Sequence, residues 1–388
     1  MPQPASSPSR ARLSATTALS YGVLGAITPY FALILQQAGL RGGAMMVVLG
    51  ATPTVRLVAG PLWGFLADRF RLAPRLLLLG VSLVAVGSVL LAVDLRLAVV
   101  GVLLMALGRA PLDVTLDGIT LSALGSDALA YGRVRLWGSL GFMVAGLIAG
   151  WGMSSGRFTA LGFGALLSVA LLGLTLTLPR AEPYRAEPIG PALRALAAHP
   201  RVPAFLVAAA LHFLSHAGAT SFLSVHLQAQ GASPSWTGLV VGAGVAVEIA
   251  VMANGRRLLS RFSDDAVILA AVALGALRWT LNALLVDPVA VLLIQTLHGF
   301  TFGAWWLASV NRMQRWAGPQ IRTSAQGVLG AAVGGVGHLM GMIVGSYMIE
   351  YSTTVHLFWV MAGISLIAMP FAWWACGRPE RDAALDSQ

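Results

Sequence analysis

Residues 97–123 read LAVVGVLLMALGRAPLDVTLDGITLSA, an apolar block with Arg109, Asp113 and Asp117 set deep inside it. The block is long enough to cross the ~30 Å hydrocarbon core of a bilayer as a helix, which takes ~20 residues. A charge held at that depth costs ~2.5–3.5 kcal/mol on insertion scales, so a chain keeps one only where it is used. Similar blocks recur along the chain, at 13–38, 44–67, 74–93, 97–123, 132–153, 158–178, 202–228, 236–256, 265–286, 289–312, 322–349 and 354–376. They are too long and too uniformly apolar for barrel strands, which take ~10 residues and alternate. The expected class is an all-α membrane protein with twelve transmembrane helices.

Composition points the same way. Hydrophobic residues make up 57%, charged residues 10%, and mean hydropathy is +0.78; a soluble chain would carry about a quarter charged residues. Net charge is +10, and every basic residue is Arg. These arginines are not gathered with aromatics into one patch, which argues against a nucleic-acid surface. Eighteen fall on the side of the two termini and only Arg41, Arg96 and Arg157 on the other, with Arg56, Arg109, Arg135 and Arg278 inside spans. Under the positive-inside rule both termini are cytoplasmic. Residues 1–11 are polar and the block after them is too long for a signal h-region, so no cleaved signal is expected. The single cysteine, Cys376, excludes an internal disulfide and any cysteine-built metal site.

The longest polar connection, PRAEPYRAEPIGPALRALAAHPR at 179–201, separates six spans from six. We therefore expect one bundle over 1–178, a cytoplasmic linker over 179–201 and a second bundle over 202–388. A faint repeat relates them: Leu66-Ala67-Asp68-Arg69-Phe70 follows span 2, and Leu258-Leu259-Ser260-Arg261-Phe262 follows span 8. In that register Arg56 falls opposite Glu248. Glycines line span 5 (Gly138, Gly141, Gly146, Gly150) and span 11 (Gly330, Gly334, Gly337, Gly341, Gly345), a spacing that lets helix backbones approach closely in lipid. Two pseudo-symmetric six-helix bundles with a site between them at mid-membrane is the layout of a transporter.

The interior polar residues are the candidate site. Arg109, Asp113 and Asp117 are four apart and share one helix face. Arg135, near the start of span 5, comes to a similar depth as Asp117, so an Asp117–Arg135 pair either binds a polar solute or staples two helices. Arg109 either snorkels to the interface or joins the site. Arg56 lies too deep to snorkel, and either meets solute or makes a structural ion pair. His212 and His216 have i,i+4 spacing but no third ligand in view, so they read as helix–helix hydrogen-bonding groups, and neither metal nor cofactor is expected. His338 and His356 read as packing or interface residues, and Trp305-Trp306 and Trp373-Trp374 as interface belt or lining. An enzyme would need a nucleophile–base pair or a metal triad, and the sequence offers neither. Arginine cannot release a proton at working pH. If transport is proton-coupled, the carrier is therefore Glu248, unless Arg278 pairs with it, or else His298.

Gly64-Phe-Leu-Ala-Asp68-Arg69-Phe-Arg71, between spans 2 and 3, resembles the signature loop of the major facilitator superfamily. Its residues would serve gating there; the usual second glycine is replaced. YGRVRLWGSLGF at 131–142, Pro111-Leu112 leading to Asp117, and Pro61-Leu-Trp-Gly resemble the branch of lactose permease and the 3-phenylpropionate transporters. Tyr21-Gly22 and Pro29-Tyr30-Phe31 extend the likeness into span 1. The resemblance implies that Asp117 and Arg135 bind solute, that Glu248 contacts solute and couples protons, and that Arg278 and His298 sit beside the proton site. It places Phe142 where a solute-contacting aromatic stands, puts Tyr30 in the site, and fits Arg56 to the phenylpropionate-like branch. Two positions depart from it: Thr301 replaces a proton-carrying Glu and Gln295 replaces a Lys, which makes Glu248 the heir to the proton.

The expected function is a monomeric secondary transporter in a bacterial inner membrane, moving a small solute with a proton by alternating access. Its arginines admit an aromatic carboxylate, its acids a sugar or nucleoside. Antiporters of the superfamily often carry Pro in a glycine motif of span 5, which has none here, so symport and import are expected. The alternative is a proton-driven efflux antiporter of hydrophobic compounds.

Overall fold

The computed structural model describes residues 9–70, 73–124, 128–157, 159–177, 196, 198–317 and 322–376, and among them it is almost wholly helical with no strand. Lipid dictates this, because each backbone N–H and C=O must be satisfied within its own segment. We number helices by the spans they occupy. The first six are Arg10–Gln37, Gly42–Phe70, Ala73–Val93, Ala98–Leu124, Ala128–Ser154 and Ala160–Thr175. Span 7 is Val202–Ser221, broken at Phe222 and resumed over Leu223–Ala229; span 8 is Pro234–Ala253, followed by the short helix Gly255–Arg261; span 9 is Asp264–Leu284. Span 10 comprises Pro288–Gln295, a π-helical Gly299–Ala304 and Trp305–Ala317. Span 11 comprises Arg322–Gly330, a π-helical Ala331–Gly337 and His338–Tyr351, and span 12 is Thr354–Cys376. Among the described residues, nine of these helices are long and apolar enough to cross a membrane.

Helix ends follow local chemistry. Ser9, Thr159, Ser263 and Asp287 cap spans 1, 6, 9 and 10 by accepting from backbone N–H groups one turn on. Spans 1, 5 and 7 close alike, with Gly39, Gly156 and Gly231 at positive φ. The next residue's N–H then reaches back to Leu35, Gly152 and Leu227 respectively, satisfying carbonyls the helix leaves open. Span 10 runs past its expected end at 312 to Ala317, because its polar last turn is clasped to the start of span 9. Arg312 pairs with Asp265 at 3.1 Å, Arg315 pairs with Asp264, and Asn311 donates to both Asp264 oxygens at 3.2 Å.

Glycine decides which helices touch. A Cβ on Gly141 would lie 2.1 Å from the Ala18 carbonyl oxygen, and one on Gly25 2.1 Å from that of Phe142, so spans 1 and 5 meet backbone to backbone. Gly337 and Gly341 bring span 11 equally close to Ala210 and Leu214 of span 7. Spans 1, 3, 4, 5 and 6 pack among themselves, as do spans 7, 8, 9, 10 and 12, while span 5 lies along span 8 and span 2 along span 11. Where spans 1, 5, 7 and 11 finish and spans 2 and 8 begin, these two groups are tied together. Gln37 donates to Gln228 at 3.0 Å, the Ser235 N–H donates to Ser154 Oγ at 2.7 Å, and the Glu350 carboxylate abuts Gly42.

Candidate substrate and coupling site

Among the described residues, two polar regions bear on the candidate site. The first is a chain of side chains on spans 8, 9 and 10. Gly244, Gly299 and Gly303 thin the contact between spans 8 and 10: a Cβ on Gly299 would come within 2.9 Å of the Glu248 nitrogen. Glu248 therefore lies against the π-helical turn, a deformation common at functional positions. His298 Nε2 is 3.1 Å from Glu248 Oε2, and Arg278 Nη1 is 3.4 Å from His298 Nδ1. Arg278 is buried; it also donates to Thr301 Oγ1 at 3.0 Å and, through Nε and Nη2, to Gln295 Oε1. Gln295 in turn donates to Asn282 at 3.2 Å. Because guanidinium only donates, His298 Nδ1 must accept, which leaves the ring proton on Nε2, facing the carboxylate.

The second region is a cavity of about 130 Å³ bounded by spans 1, 2, 3, 4, 7 and 11. Its wall is mostly aliphatic, with Phe31, and its polar groups are Arg56, Arg109, His338 and the hydroxyls of Thr28, Thr52 and Ser221. Arg109 is buried and donates to the Ser20 carbonyl at 2.7 Å and hydroxyl at 2.8 Å. Its guanidinium and that of Arg135 both face the Tyr21 ring, 4.8 and 4.2 Å from the centroid, so one aromatic residue serves two cations.

The candidates divide among these places. Glu248, His298 and Arg278 come together, with Arg278 held by Gln295, Thr301 and His298. Arg56 lines the cavity. Arg135 stands on Tyr21. Tyr30 is fully buried and donates to the Gly146 carbonyl at 2.6 Å in the contact of spans 1, 5 and 8, away from the cavity wall. Phe142 presents its backbone to Gly25. The side chains of Asp113, Asp117, Asp68 and Arg69 lie outside the described residues, as does any Asp117–Arg135 pair; Gly64 sits in the same stretch of span 2.

Two sequence readings need correction. His338, read as packing, lines the cavity beside Arg56. Trp305, read as belt or lining, is 1% exposed and packs with Phe205, His212 and Phe213. Trp373 and Trp374, in span 12, are exposed. His212 hydrogen-bonds across helices, its Nε2 2.8 Å from the Thr301 carbonyl oxygen.

The family model described as the MFS_1 like family matches residues 11–360. The chain belongs to that family. It is 28% identical over 341 residues to the maltose permease of Geobacillus stearothermophilus, covering 86% of each chain. It is 26% identical over 366 residues to the "Probable 3-phenylpropionic acid transporter" of Escherichia coli strain K12, covering 90% of this chain and 93% of that one. The solved structure of nucleoside transporter NupG superposes with TM-score 0.81 at 19% identity, covering 96% of this chain and 99% of that one. A bacterial homologue of the human lysosomal transporter Spinster, inward-facing and unoccupied, superposes with TM-score 0.73 at 16% identity over 95% and 96%. The fold is that of the major facilitator superfamily, and the protein is a multi-pass membrane transporter of that type.

Proposed function

We propose that this MFS_1-like protein is a proton-coupled symporter that imports a small organic solute, a sugar, nucleoside or aromatic carboxylate, by alternating access. Bundles 1–178 and 202–388, joined by the linker 179–201, rock about the contacts of spans 5 with 8 and 2 with 11. The protein works as a monomer in a bacterial inner membrane with both termini cytoplasmic. The ties among Gln37, Gln228, Ser154 and Ser235 then close the outer face. Asp117, Arg135, Phe142, Tyr30, Arg56 and Glu248 are assigned to solute, and Gly64, Asp68 and Arg69 to the gate between states.

The observation that supports coupling is the chain Glu248–His298–Arg278. Both nitrogens of the His298 ring are engaged, Nδ1 by Arg278 and Nε2 by Glu248. A proton arriving there is taken by the Glu248 carboxylate, and Arg278 stays charged and holds the ring in place. Protonating Glu248 cancels the negative charge of the Glu248–His298–Arg278 group, which changes what that site costs to expose or to seal. Proteoliposomes carrying the Glu248→Gln variant are expected to exchange solute across the membrane but not to accumulate it when an inward proton gradient is imposed. Wild-type accumulation in that variant would move the proton elsewhere. In de-energised intact cells, solute addition should turn the medium alkaline; acidification of the medium, as solute enters down its gradient in exchange for protons, would favour the efflux antiporter.

A further inference from the structure

We propose that the cavity beside Arg56 and His338 is an anion-binding subsite that takes a monocarboxylate bearing one aromatic ring or short apolar tail. The proposal rests on the transport reading, and it locates and names the solute.

The first ground is the state of Arg56. The other three intramembrane arginines have partners: Arg109 holds Ser20, Arg135 stacks on Tyr21, and Arg278 holds Gln295 and Thr301. Arg56 makes no hydrogen bond or ion pair with any described residue, and it is exposed on the cavity wall. A Cβ on Gly334 would lie 3.7 Å from its Nη1, so the absent side chain there leaves room around the guanidinium. A cation kept in the membrane interior without a partner is worth its cost only if an anion arrives to meet it.

The second ground is the hydroxyls. Serine and threonine on apolar helices normally donate back to a carbonyl of the preceding turn, as Thr54 does to Gly50 at 2.7 Å and Thr120 to Leu116. Thr28, Thr52 and Ser221, all on the cavity wall, make no hydrogen bond to the described residues. Three uncommitted hydroxyls and a fork of N–H groups line one space, which suits carboxylate oxygens. The described wall carries neither carboxylate nor side-chain amide, the acceptors that sugar hydroxyls would seek.

The third ground is size. A cavity of about 130 Å³ is close to the engineered, apolar space of about 150 Å³ that admits benzene. A single ring or a short apolar tail is about that size. The rest of the wall, with Phe31, Ile27 and Met342, is apolar and suits the tail.

The test is thermal unfolding of the purified, full-length protein in detergent with phenylacetate, phenylpropanoate and hexanoate, each against its neutral amide, and with maltose. At least one acid should raise the midpoint while its amide does not. Arg56→Gln should weaken that acid by about tenfold or more. Arg56→Lys, which keeps the charge but not the fork, should weaken it less and serves if the glutamine variant does not fold. The proposal is overturned if no acid raises the midpoint, if an amide matches its acid, or if either Arg56 variant binds like the wild type. Uptake assays separate the two readings. A pH gradient that drives a sugar into vesicles, with no acid bound, removes the subsite and leaves the symporter. An acid that binds through Arg56 but never accumulates with protons removes proton symport and leaves the subsite.

Discussion

Arg278 and Arg56 are both arginines deep in apolar helices, and their surroundings are opposite. Arg278 is 1% exposed, with its donors spent on Gln295, Thr301 and His298. Arg56 stands on a cavity wall among hydroxyls that are equally uncommitted. A buried charge whose hydrogen bonds are all taken is part of the scaffold, because losing it strands its partners. One with no partner among the described residues holds none of them in place and is free to act on a ligand. The contrast separates a preorganised relay from a receptive site.

The largest effect should come from attacking the scaffold. Arg278→Ala strands Gln295 Oε1, takes a donor from His298 Nδ1 and leaves Thr301 only its own bond to the Leu297 carbonyl, at about 1–3 kcal/mol for each buried group left unsatisfied. We expect roughly 3 kcal/mol of destabilisation, read as a lowered unfolding midpoint in detergent. Arg56→Ala, which removes a cation with no partner among the described residues, should leave stability unchanged or raise it. Equal losses in the two variants would break the comparison. A finer cut is Thr301→Val, which keeps the shape but removes one acceptor from Arg278. It should cost about 1 kcal/mol and leave the Glu248–His298 contact in place.

The sequence made the spans, the buried charges and the Glu248, His298, Arg278 group legible. Lipid imposes length and hydropathy on a helix, and a charge at depth stands out against that background. Direction was not legible. Span 12 and the His338–Tyr351 part of span 11 are apolar on nearly every face, so hydropathy does not tell a wall facing lipid from one facing a neighbour. Trp305 and Trp373 look alike as letters, yet one is buried against Phe205 and the other is exposed. His338 was masked by the glycines around it, since Gly337 and Gly341 pack on span 7 while Gly334 turns toward Arg56. The π-helical turns that precede His338 and follow His298 have no signature in composition either. Thr301 and Gln295 show the converse: as departures from the lactose permease pattern they signalled a changed proton route, and their positions show both taken up by Arg278.

The smallest expected effect discriminates best between scaffold and receptor, because it compares two threonines within the same apolar surroundings. Thr54 donates to Gly50, whereas Thr28 makes no hydrogen bond to the described residues and lines the cavity. Valine at either position keeps the branched shape and removes only the hydroxyl. Both variants should unfold within about 0.5 kcal/mol of the wild type, since a helix carbonyl relieved of a second donor keeps its backbone bond. Their ligand responses should part. Thr28→Val removes a donor aimed at the proposed carboxylate, and a neutral hydrogen bond worth about 0.5–1.5 kcal/mol corresponds to a roughly two- to tenfold loss of acid affinity. Thr54→Val should bind the same acid unchanged. If the two variants bind alike, the hydroxyl of Thr28 is not engaged by solute, and the receptive half of the comparison rests on Arg56 alone.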